Sequence, residues 1–294
     1  MKKTLKILFF SSFLLSSFCY AMEDETSESS LPGFTHIPDD HYSEQHQQTI
    51  RSTLAEPSNL DVSMYGDVLI IGGAPTQSTF SVCLRNHFGY DTAQTQVPKE
   101  DITRTEIVFS KRIGLVQNTN VSFIDRDPFY RYFDHGYSSY RNSPKETPFL
   151  KQLAGEFIAN GRLFKIDFSS PDFANFAQTR KFGLIALDYM TFHHAAPDIF
   201  SHVASMLSEG GILFMPTFLS SEPIRENLRS RFQTWGCDAD LLQLDFPIGD
   251  ESPLKPHEAF LAALSAEHLR VAQSFGQKRA IYYVQKRSAA SAAE

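Results

Sequence analysis

The sequence predicts an α/β domain whose sheet is mostly parallel. Three observations carry this. Short continuous apolar runs, such as 68–71 and 182–187, alternate with longer amphipathic stretches, and a strand buried on both faces reads as such a run. Two of these runs adjoin glycine pairs, Gly72-Gly73 and Gly210-Gly211, which punctuate strand and helix ends. No internal repeat and no long linker breaks the alternation, so a single layered domain accounts for it.

The elements follow in order. Asp40 to Glu56 reads as an amphipathic helix, capped at Asp39 or Asp40 and stopped by Pro57. Val68 to Ile71 is a buried strand running into the Gly72-Gly73 turn. Ser78 to His87 is a helix, Asp91 to Thr105 is polar and irregular, and Glu106 to Phe109 and Val121 to Ile124 are strand candidates. Pro128 to Tyr132 opens a helix, Pro144 to Pro148 is loop, and Phe149 to Ala159 is a helix closed by Asn160-Gly161. Arg162 to Phe168 and Phe182 to Leu187 are strands. Ala196 to Ser208 is a helix ended by the second glycine pair, and Ile212 to Met215 is a strand stopped at Pro216. A helix over Glu222 to Trp235, a strand over Leu241 to Phe246, a helix over Pro256 to Gln273 and a strand over Ala280 to Gln285 complete the domain.

The 294 residues are 42% apolar and 21% charged, a globular balance that excludes disordered, collagen-like and coiled-coil chains. The formal charge is −7. Such a protein repels nucleic acid and anionic lipid, so no nucleic-acid partner is expected. The 26 phenylalanines against one tryptophan read as core filling.

The N-terminus has the three-part pattern of a secretory signal peptide. Met1 to Lys6 is basic, Ile7 to Phe18 is apolar with serine interruptions, and Cys19-Tyr20-Ala21 places small residues around a cleavage point after Ala21. The apolar run is shorter than the roughly 20 residues of a membrane span, and no later stretch reaches that length. The expected organisation is a signal peptide at 1–21, a disordered acidic lead at 22–38, the α/β domain at 39–287 and a disordered tail at 288–294. Export to the periplasm or the medium follows from the address. Initiation at Met22 would instead give a cytoplasmic protein. Cys83 and Cys237 remain after cleavage, and two distant cysteines read as separate buried thiols before they read as a pair. With no C-x-x-C, neither a zinc ribbon nor a thioredoxin-type site is indicated.

Open α/β sheets bind ligands beyond the carboxyl ends of their strands. Here those ends are 72–78, 125–127, 167–168 and 188–194. Three of them carry an aspartate where the strand stops: Asp125, Asp167 and Asp188. Aspartate also caps turns and helices. Three in register behind a Gly-Gly turn point instead to a nucleoside-type ligand, whose ribose hydroxyls or base amine a carboxylate accepts.

At Asp67-Val-Leu-Ile-Ile-Gly-Gly73, Val121-Ser-Phe-Ile-Asp125, Leu163-Phe-Lys-Ile-Asp167, Phe182-Gly-Leu-Ile-Ala-Leu-Asp188 and Leu207-Ser-Glu-Gly-Gly-Ile-Leu-Phe214, the chain resembles the class I S-adenosylmethionine-dependent methyltransferases. The likeness covers about Asp67 to Lys286. It implies a Rossmann-like, mostly parallel seven-stranded sheet flanked by helices, with the last strand antiparallel. It implies S-adenosylmethionine as cofactor and a small molecule or a protein as methyl acceptor. Gly72, Gly73 and Ala74 would lie against the methionine part, Asp125 would take the ribose, Asp167 would sit near the adenine amine, and Asp188 would face the substrate.

The loop after the first strand departs from that pattern. Its alternate positions are Gly72, Ala74 and Thr76, with Pro75 between the last two. Thr76 is β-branched and Pro75 lacks a backbone donor. Gly73 and Asp125 also lie further apart than the roughly 20 residues usual in a Rossmann unit. An insertion, roughly 91–118, must leave the sheet and return. If Glu106 to Phe109 were the second strand, Asp125 would lose its role. A second reading therefore stands beside the enzyme: an exported, non-catalytic binding protein that keeps the fold. The 68–73 turn is also similar to the aminopropyltransferases (polyamine synthases), whose further acids in the glycine loop are missing from 74–77.

Candidates for proton transfer follow the fourth expected strand: Asp188, His193 and His194. A histidine titrates near neutrality and can deprotonate an oxygen or nitrogen nucleophile. No metal site is expected. Adjacent histidines rarely point at one ion, and a solvated helix explains His36, His41 and His46 among Asp39, Asp40 and Glu44. Arg126, Arg131 and Arg141, interleaved with tyrosines, read as a surface segment covering the sheet. No Gly-x-Ser-x-Gly elbow and no P-loop lysine is present, which removes serine hydrolase and NTPase readings.

Overall fold

The computed structural model describes residues 44–72, 114–126, 148–187, 197–218, 222–243, 248–264 and 279–288. All belong to the compact unit Pro38–Glu294. The expected signal peptide, the acidic lead, the tail after Ser288, and the elements expected over 78–87, 91–105, 106–109 and 128–132 lie outside the described residues.

Strand β1 (Val68–Ile71) is buried along its whole length, as a central strand covered on both faces must be. It pairs in parallel with β2 (Val121–Asp125) on one side and with β4 (Phe182–Leu187) on the other. Beyond β2 lies β3 (Leu163–Lys165), and beyond β4 lies β5 (Leu207–Phe218), both parallel. The last strand, β7 (Arg279–Lys286), inserts antiparallel between β5 and β6 (Cys237–Gln243). The order is β3-β2-β1-β4-β5-β7-β6. Both neighbours of β1 are thereby assigned, and Asp125 keeps its place on the adjacent strand.

Alternation along the strands builds two cores. Val68, Ile70, Phe123, Leu184 and Phe214 face one side, with Leu115 and Val116, Ala154 of helix α2 (Pro148–Ala159), and Leu254 and Phe260. Leu69, Ile71, Ile124, Ile185 and Leu213 face the other. Covering that second side are helices α3 (Pro171–Thr179), α4 (Pro197–Met206) and α5 (Glu222–Thr234), through Phe173, Val203 and Phe232 among others. Helix α1 (Glu44–Ala55) docks on α2. The Arg51 guanidinium donates to both carboxylate oxygens of Glu156 at 2.9 and 3.0 Å and lies 5.5 Å from the Phe149 ring centroid. Both charged side chains are about 40% exposed, so the pair contributes below about 1 kcal/mol.

Several elements differ from the sequence expectation. Helix α3 was not anticipated. Its start is written in Ser170-Pro171, with proline in the first turn, and Phe173, Phe176 and Ala177 recur at helical spacing. Strand β3 ends at Lys165, because Asp167 turns the chain into α3. Pro148 opens α2 where a loop was expected. Helix α4 ends at Met206, and Gly210 (φ 71) with Gly211 forms an irregularity early in β5. Pro216 continues β5, pairing with Ile281 beyond the last pairing to β4 at Phe214. There the strand has one neighbour, which admits proline. Strand β6 begins at Cys237, several residues before the expected strand. Its exposed Asp238 and Asp240 mark the outer strand of the sheet, where charge guards an open edge. The expected helix over 256–273 begins as a 3-10 turn at Lys255–His257 and is helical through 264. Residues 114–117, at the end of the expected insertion, form a helical turn with Leu115 and Val116 buried.

Candidate functional site

The chain passes from β1 to β2 and β3 on one side, then crosses to β4 on the other. The order reverses between β1 and β4, and such a switch point opens a crevice at the carboxyl ends of the strands. Gly72 is the first residue beyond β1. Its φ is 85°, a conformation that glycine adopts without strain. Its amide donates to the Ile124 carbonyl at 2.9 Å, which clamps the turn against β2. The pairing of Ile71 with Ile124 then sets Gly72 and Asp125 beside each other at the same level of the sheet edge. Asp125 is half-buried, ends β2, and pairs with Lys165 of β3.

Asp167 lies two residues past β3 and already has structural work. Its Oδ1 accepts the Ser169 amide at 2.9 Å and the Ser169 hydroxyl at 2.6 Å. Its carbonyl accepts the Ser170 amide and hydroxyl. This is an aspartate turn leading into α3. The Ser169 hydrogen bonds, and to a lesser degree the charge of Arg126, hold the Asp167 carboxyl below its ordinary value. It is therefore the ionised form that lies at this edge near neutral pH. Nothing in the spacing of Arg126 pointed to that neighbour. Only the β2–β3 pairing brings 126 level with 166–167.

Of the expected site residues, the fold brings Gly72, Asp125 and Asp167 to one edge. Gly73, Ala74, Asp188, His193 and His194 lie outside the described residues. Among the described residues no cluster of three histidine, cysteine or acidic side chains is arranged to hold a metal, and no helix is long and apolar enough to cross a membrane.

No protein-family model matches the chain, and no curated protein sequence does. Solved structures do. One is the StiE O-methyltransferase segment, 17% identical over 82% of this chain and 74% of that one, with a TM-score of 0.36. Another is an O-methyltransferase from a polyketide synthase multienzyme of Brevibacillus brevis in complex with S-adenosyl-L-homocysteine, 12% identical over 90% and 85%, TM-score 0.35. A third is a SAM-dependent methyltransferase from Geobacter sulfurreducens, also with S-adenosyl-L-homocysteine, 12% identical over 86% and 94%, TM-score 0.29. These scores describe loose superpositions, and the fold class rests on the sheet itself. Seven strands, six of one direction and β7 opposed, carry helices on both faces.

The fold is a Rossmann-type α/β sheet. Within it the described part of the crevice fits an adenosyl ligand at two points. Gly72 presents no side chain at positive φ, and Asp125 stands beside it on the neighbouring strand. Asp167 fits less directly, because Oδ1 is engaged by Ser169.

Proposed function

We propose that this chain binds S-adenosylmethionine at the carboxyl edge of β1 and β2 and transfers its methyl group to a small molecule or a protein. The observation that carries the reading is the placement of Gly72, at positive φ and bonded to the Ile124 carbonyl, beside Asp125 at the end of the adjacent strand. The bound cofactor would supply an activated methyl group. The chain would align the two reactants, which is the main demand of a methyl transfer. Asp125 would accept the ribose hydroxyls. Deprotonation of the acceptor falls to His193, His194 or Asp188, which follow β4 in the sequence. The proposal includes export, on the N-terminal pattern, with Met22 as the first residue of the mature protein; confinement of the protein to the cytoplasmic fraction would remove it.

Calorimetry with S-adenosylmethionine and S-adenosylhomocysteine tests the cofactor. Binding is expected, and Asp125→Ala should weaken it by about 1.5–3 kcal/mol through loss of a charged hydrogen bond. Absence of heat at near-millimolar ligand would defeat the enzyme reading. It would favour the non-catalytic binding protein, which Pro75, Thr76 and the engaged Asp167 already support.

A further inference from the structure

We propose that His257 is an acid-sensitive latch that holds residues 248–264 against one face of the sheet. Among the described residues it is the polar or charged side chain that is buried, at 7% exposure. It ends the 3-10 turn Lys255–His257 and sits inside the first core. Its Nδ1 shares a 2.8 Å hydrogen bond with the Tyr65 hydroxyl. Phe214 of β5 and Tyr283 of β7 pack on its ring at centroid distances of 5.3 and 6.0 Å. Phe260, one turn further along, packs on both Tyr65 and Phe214. Among the described residues the rings facing the imidazole are thus two phenols and the Phe214 phenyl, with Phe260 packed behind them. Among the described residues of its own segment, charge lies on the outer side, where Lys255 reaches Asp250 and Glu258 in solvent.

This surrounding accommodates a neutral imidazole and penalises an imidazolium. No described carboxylate stands against the ring to compensate a proton, and the two phenols do not ionise near neutrality. Burial pushes the Tyr65 hydroxyl up to about 12 and raises Tyr283 as well. Burial likewise holds His257 below its ordinary value. The sign follows. A histidine whose folded value is depressed contributes stability that is complete above its unfolded value, near 6.5. That contribution is lost as pH falls toward the folded value. The segment it anchors carries Ile248, Leu254, Phe260, Leu261 and Leu264 into the core. Opening lets the imidazole take a proton from water. The open state gains tenfold per pH unit between the two values, up to about 30-fold at pH 5.

Hydrogen exchange by mass spectrometry on the whole chain, corrected for intrinsic rates, tests this between pH 7 and pH 5. The expected result is a loss of protection in 248–264 of up to about 30-fold, with β1 and β4 amides unchanged. His257→Gln keeps a hydrogen-bonding partner for Tyr65 and does not titrate, so its protection should be flat over the same range. Equal protection at both pH values overturns the latch. So does a parallel loss across β1 and β4, which reports global unfolding. If the glutamine variant does not fold, the native chain decides alone. The His257 ring resonance should titrate below 6.5, in step with exchange of 248–264, and titration at or above 6.5 overturns the proposal.

Discussion

Gly183→Ala should destabilise the domain by about 3 kcal/mol or more, seen as a lower urea midpoint with little change in slope. Gly183 opens β4 where the chain before β1 crosses it. A methyl group there would stand 1.9 Å from the Tyr65 carbonyl oxygen and 3.0 Å from its carbon. Both are backbone atoms, so no rotamer change relieves the clash. The Gly183 amide also donates to the Asp67 carbonyl at 2.9 Å, and this ties the two segments together from the other side. Either β4 or the turn at Ser63–Tyr65 must move. Movement of that turn would also pull the Tyr65 hydroxyl from His257. A loss under about 1 kcal/mol would mean that the approach of the two segments is looser than the structure has it. Since domains hold only about 5–15 kcal/mol in all, this one methyl group reaches a large share of the stability.

Phe173→Ala should cost about 3–5 kcal/mol, the range for removing a fully buried phenylalanine. Phe173 is 0% exposed on α3. It packs in the second core, and its ring meets His202 of α4 edge-on at 6.1 Å between centroids. Its loss leaves a void between two helices and the sheet, which the short α3 cannot collapse to fill. Phe176→Ala, on the same helix and only partly buried, should cost distinctly less. Equal effects in thermal or urea unfolding would show that α3 does not dock through Phe173.

The same helix shows where reading the chain failed. Ser170-Pro171 and the 173–176–177 spacing were legible, but the preceding apolar residues Ile166 and Phe168 drew the strand too far forward. Asp167 decides the matter by turning its side chain onto Ser169, a contact that apolar spacing does not encode. Strand β6 was displaced for a related reason. Cys237-Asp-Ala-Asp alternates as an edge strand does, yet its acids resemble a loop until β7 is seen beside them. Of the three expected strand-end acids, Asp125 and Asp167 lie among the described residues. Their inequality was not legible: Asp125 stands beside Gly72, whereas Asp167 is occupied with its own turn.

By itself the sequence determined the central strands, the α/β class and the carboxyl-end position of Asp125 and Asp167. Continuous apolar runs have one physical outcome, burial on both faces, and glycine pairs mark where such runs end. Tertiary structure alone decided which strands neighbour β1, and therefore that Gly72 and Asp125 meet. It alone placed His257 among two phenols and a phenyl ring. Pairing order and side-chain burial arise from contacts between residues far apart in the chain, and no local pattern of residues specifies them.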